Sequence, residues 1–105
     1  MAAPHLESVS FPHLHGQGAP SDGTITGTNI KEHDTVRIVS NSSNKKWQGE
    51  VTTHNAGNIW NATVRRLPTQ PGTTDAPQVS ETVGVTVTNG DGASNSVATN
   101  SSNVP

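Results

Sequence analysis

No cysteine occurs in this chain, which removes disulfides, thiol nucleophiles and thiolate metal ligands together and leaves packing and hydrogen bonds to supply stability. Aromatic residues are almost as scarce, with two Trp, one Phe and no Tyr. Charged residues make up 13% of the chain, about half the usual share, so this is not the highly charged composition of a disordered chain. The six Lys and Arg are scattered along a sequence of net charge −2. Such a chain has no basic run for counterion release, and nucleic acid is not an expected partner. No apolar run approaches the roughly 20 residues that span a bilayer, so no membrane partner is expected. The first residues lead into His5 rather than the apolar core of a signal peptide, which points to a protein that starts in the cytoplasm. Helix formers are few, and no segment carries a 3.6-residue apolar period.

What the chain has instead is Ser, Thr, Asn and Gly, a mixture suited to short strands and turns. At 105 residues it is long enough for one modest core. Apolar alternation predicts strands at 6–11, 23–28, 35–40, 47–51, 59–64 and 79–88, with a short seventh at 93–99. Pro12 should close the first strand or place it at an edge. In the third, Val36 and Ile38 share one face while Arg37 and Val39 take the other. Turn chemistry stands at 16–23, 32–34, 54–58 and in Asn89-Gly90-Asp91-Gly92, and the three prolines of 68–77 require a loop. Seven or so short strands without helices predict an antiparallel β-sandwich.

Three stretches carry a resemblance: TITGTN at 24–29, GEVTTHNAGNIWNATV at 49–64, and VTVTNGDGASNS at 85–96. They resemble, in turn, the second strand of TIG domains, the central hairpin of bacterial immunoglobulin-like repeats, and the closing hairpin of those repeats. The resemblance is to the immunoglobulin-like families of bacterial adhesins and phage virion proteins, and it spans nearly the whole chain. It implies an N-terminal extension at 1–5, an immunoglobulin-like β-sandwich at 6–99 and a polar tail at 100–105. Two departures from the pattern, Pro12-His13-Leu14-His15 and the long connection 68–77, are candidate positions for contacts special to this protein.

On function, the resemblance and the small lone domain imply a virion protein, assembled in the host cytoplasm, that decorates a phage capsid by docking on the major capsid protein. No cofactor is implied. The N-terminal segment has apolar residues with no obvious place in the core, so Leu6, Phe11, His13, Leu14 and His15 are the expected docking residues, with Arg65 and Arg66 beside them. The alternative is a carbohydrate-binding or adhesin module that holds cell-surface glycans. For that role Trp47, next to Lys45 and Lys46, is the candidate platform, although it fits a core equally well. Trp60 shares its parity with Ala62 and Val64 and should be the more deeply packed of the two.

Catalytic patterns are missing: no Gly-x-Ser-x-Gly, phosphate loop or paired acids occur, and an enzyme is not expected. His13 and His15 would share one side of a strand, yet Zn²⁺ asks for three or four ligands and local spacing supplies two. Asp91 is explained by its turn without an ion. The apparent glycosylation sequons at Asn41, Asn61 and Asn100 are what chance gives in a chain so rich in Asn, Ser and Thr.

Overall fold

The computed structural model describes residues 2–15, 19–41, 45–67 and 81–102. These residues form eight strands and no helix: β1 (His5–Ser10), β2 (Pro20–Thr28), β3 (Thr35–Ser40), β4 (Lys46–Ala56), β5 (Ile59–Arg66), β6 (Glu81–Asn89), β7 (Gly92–Ala93) and β8 (Val97–Ser101). All pairings are antiparallel, in the order β1-β2-β5-β4-β3-β6-β7, with β8 also on β6. The expected all-β antiparallel architecture is present. Its finer form differs from the two-sheet sandwich of about seven strands: the ladder runs unbroken through one sheet, curled into an open half-barrel. β4 causes the continuity, because Trp47 to Glu50 pair with β3 on one side and with β5 on the other.

Alternation along the strands sets the core. Val36 and Ile38 face inward opposite Val87 and Val85, Trp47 lies between Ile38 and Arg66, and Val51 lies against Ala62. With Leu6, Phe11, Leu14, Ile25, Ile30, Val64 and Val83 they make one buried cluster. Burying each such side chain contributes roughly 1.5–3 kcal/mol, so a small aliphatic core suffices. Gly23 is part of this fit. The Phe11 ring stands within 2.4 Å of where a Cβ on Gly23 would be, so the missing side chain is the space the ring fills.

Several strands outrun their sequence expectation. β2 begins at Pro20, because Ser21, Asp22 and Gly23 pair with Val64, Thr63 and Ala62 despite their turn-like composition. β4 continues through His54 to Ala56, and the turn is confined to Gly57 and Asn58, with Gly57 at a φ of 53°. The seventh strand is split into β7 and β8 by residues 94–96. Asn100 and Ser101 belong to β8 rather than to a tail. His5 opens β1 instead of ending an extension. The expected start of the sixth strand at 79, the connection 68–77 and the last three residues lie outside the described residues.

The two edges of the sheet meet. β1 lies against β8, and the seam is closed mainly by side chains. Asn95 Nδ2 donates to Leu6 O at 3.0 Å while its Oδ1 accepts from Leu6 N at 2.9 Å. Ser101 Oγ accepts from Leu14 N at 3.1 Å, and Ser102 N donates to Pro12 O at 2.9 Å. Each edge thereby covers the other, which keeps the exposed ladder groups of both from pairing with foreign strands.

Candidate docking face

Two ends and an outer wall are the parts of this half-barrel available to a partner. At one end the corner after β2 turns through left-handed backbone at Asn29 and His33. Asp34 fastens it: Oδ2 accepts from Lys31 N at 2.9 Å and from Asn89 Nδ2 at 3.0 Å. Lys31 meets Asp91 at 3.7 Å nearby. Backbone and side-chain bonds thus tie this end to itself.

The opposite end gathers most of the sequence-predicted docking residues, though not as expected. Trp47 Nε1 donates to His15 O at 2.9 Å, and His15 N donates to Ser21 Oγ at 2.8 Å. Trp47 is 1% exposed, so its ring offers no face on which a sugar could stack. Leu6, Phe11 and Leu14 are buried in the core. Their apolar surface packs inside their own barrel, which corrects the expectation that it anchors the chain to a partner. Leu6 is also distant from the others, at the far end of β1 beside Gly27. Arg66 is buried, whereas Arg65 and His13 are exposed and His15 is half-buried.

Ser40, Lys45 and Glu81 are buried at this same end. Ser40 Oγ donates to Glu81 Oε1, and Ser40 N donates to Lys45 O at 3.0 Å. Lys45, Arg66 and Glu81 all make polar interactions, the condition under which such side chains are tolerated inside a protein. Among the described residues no three His, Asp or Glu side chains gather as metal ligands. His13 and His15 lie outside any strand, so strand alternation does not align their rings.

The outer wall joins Arg65, an expected docking residue, to neighbours that sequence reasoning did not assign to it. On the outward side of β3, β4 and β5, Val39 is opposite Lys46 and Arg37 is opposite Gln48, while Gln48 is opposite Arg65. Leu67 N donates to Lys46 O at 2.8 Å, placing Leu67 on the other flank of that lysine. Two rows result, Val39-Lys46-Leu67 and Arg37-Gln48-Arg65, all exposed. A shallow groove lined by Gln48, Glu50, Thr52, Thr63 and Arg65 continues from the second row. One signal was in the sequence, the placement of Arg37 and Val39 on the face opposite Val36 and Ile38. The cross-strand register that joins them to Lys46 and Arg65 is a long-range property and was not.

No family model matches the chain, and neither a curated protein nor a solved structure is significantly similar to it.

Proposed function

We propose that this chain is a non-enzymatic virion structural protein, a phage capsid decoration protein that docks on the major capsid protein through an immunoglobulin-like domain. The observation that carries the reading is the strand order. In the immunoglobulin fold the first, second, fifth and fourth strands form one layer and the third, sixth and seventh the other. Here β1-β2-β5-β4 is followed by β3-β6, with β7 and β8 sharing the seventh place. β4, paired to both halves, converts two layers into one curled sheet. The step from this order to a virion rests on the resemblance of 24–29, 49–64 and 85–96 to phage and adhesin domains, since a fold by itself hosts many functions.

The glycan alternative has lost its platform, because the ring of Trp47 is enclosed. The test is peptide mass spectrometry and immunogold labelling of purified virus particles whose genome encodes the chain, with a glycan array run on the isolated protein. The reading expects the chain in stoichiometric amounts on the particle surface and no sugar selected. Absence from particles, or tight selection of one glycan, would overturn it.

A further inference from the structure

Ten asparagines occur in the chain, and one alone, Asn89, is followed by glycine. The other nine precede Ala, Ser, Lys, Ile or Val, whose side chains crowd their own backbone nitrogens. Asn89 ends β6 and pairs with Gly92 across a turn of two residues, Gly90 and Asp91. Gly90 is exposed, and a Cβ built on it would meet nothing within 4 Å. The Asn89 side chain folds back over this turn, where its Oδ1 accepts from Asp91 N at 2.8 Å. Its Nδ2 donates to Asp34 Oδ2 at 3.0 Å and to Asn29 O at 3.4 Å. One amide thus holds the β6–β7 turn to the corner after β2.

We propose that Asn89 is a site of self-deamidation and that its conversion unfastens this end of the barrel. The Gly90 nitrogen attacks Cγ of Asn89. A new C–N bond closes a cyclic succinimide, the Cγ–Nδ2 bond breaks, and the Gly90 proton passes through water to Nδ2, which leaves as ammonia. Water then adds to either ring carbonyl, and opening gives aspartate or, with the main chain rerouted through Cγ, isoaspartate. The Asp91 N–H, already on Oδ1, steadies the negative charge that gathers there during attack. The product is a carboxylate with nothing to donate. An oxygen in the place of Nδ2 stands 3.0 Å from the Asp34 carboxylate and 3.4 Å from the Asn29 carbonyl. Two hydrogen bonds are replaced by two facing acceptors, one of them charged. Three carboxylates, those of Asp34, Asp91 and residue 89, then gather about one lysine, Lys31. Isoaspartate adds a carbon to the main chain as well, so the pairing of residue 89 with Gly92 loses its register. Because Asp34 also accepts from Lys31 N, the loosening reaches the whole corner 29–34. The reaction runs one way, so this end of the barrel carries a slow switch that records the age of the molecule. No partner enters the inference, which stands apart from the docking reading proposed above.

The experiment incubates the folded full chain at mildly alkaline pH and follows it by peptide mass mapping and ammonia release, beside the variant Gly90→Ala. Asn89 should convert before any other asparagine, to a mixture of aspartate and isoaspartate. Gly90→Ala should slow that conversion about tenfold or more by crowding the nitrogen. It should fold as the parent does, since its Cβ has room and the left-handed glycines among the described residues are Gly57 and Gly92. Asn89→Asp, which installs the product directly, should lower the melting temperature by several degrees and speed hydrogen exchange at the Lys31 amide. The double variant Asp34→Asn/Asn89→Asp returns an amide to the pair with the roles exchanged and should recover most of that loss, which keeps the inference testable where the single variant does not fold. Earlier conversion of another asparagine, an equal rate in Gly90→Ala, a converted chain that melts with the unconverted one, or no recovery in the double variant would each overturn the inference.

Discussion

Trp47 and Trp60 show how far parity alone carries a residue. Both point inward, as the alternation in their strands predicts, but they differ in depth. Trp47 sits mid-sheet with neighbours on both sides, and its indole N–H has found the His15 carbonyl. Trp60 lies near the β4–β5 turn, only partly buried, with its ring tilted against His54 at a centroid distance of 4.7 Å. The sequence expectation that Trp60 is the deeper of the two is therefore reversed, because parity reports the face and not what lies over the ring: the chain at His15 meets the Trp47 indole, whereas Trp60 has the exposed His54 beside it. Truncating a fully enclosed aromatic costs about 3–5 kcal/mol. Trp47→Ala should lose that much in a denaturant melt, and Trp60→Ala about half or less. Equal losses would show that the His54 contact encloses Trp60 as well as the core encloses Trp47.

At the scale of elements, the third strand was legible residue for residue, since Thr35 to Ser40 alternate cleanly and are bounded by polar turns. β2 and β4 were read too short. Pro20, Ser21 and Asp22 have turn-like composition and are held in β2 by β5, far along the chain, while at the end of β4 His54 and Ala56 pair with Trp60 and Ile59 across the adjacent hairpin. Strand propensity yields to pairing in this way because it measures fit to neighbours more than intrinsic backbone preference. Three of the expected docking residues, Leu6, Phe11 and Leu14, are buried for a related reason. Leu6, Phe11 and Leu14 have irregular spacing, and only the meeting of β1 with β8 shows that the barrel needs them inside. That meeting depends on Asn95, whose amide serves Leu6 as a strand partner would. Asn95→Ala removes both bonds and leaves part-buried backbone groups unmet, a loss of about 1–3 kcal/mol. Hydrogen exchange at the Leu6 amide should accelerate while exchange at Val36 and Ile38 changes only with the global stability. Unchanged protection at Leu6 would mean that something other than Asn95 holds the edge.

For the molecule as a whole, the seam gives the chain a direction of mechanical strength. Counting from β1 through β2, β5, β4, β3 and β6 to β8, six antiparallel steps bring the last strand back to the heading of the first. β1 and β8 therefore run side by side in parallel, with the start of β1 at one end of the barrel and the finish of β8 at the other. A load applied through the two termini slides these strands past each other along their length. The Asn95–Leu6 bonds at one end of the seam and the Ser101–Leu14 and Ser102–Pro12 bonds at the other then bear tension together, whereas a peeling load would break them one after another. Forced unfolding is governed by the unfolding barrier rather than by equilibrium stability. Pulled end to end in an optical trap, the double variant Asn95→Ala/Ser101→Ala should rupture at markedly lower force than an equally destabilised Val87→Ala chain. Similar rupture forces in the two would place the mechanical barrier in the ladders. If the difference holds, the protein is strongest along the line joining its own ends, the line on which a tether at either terminus would draw.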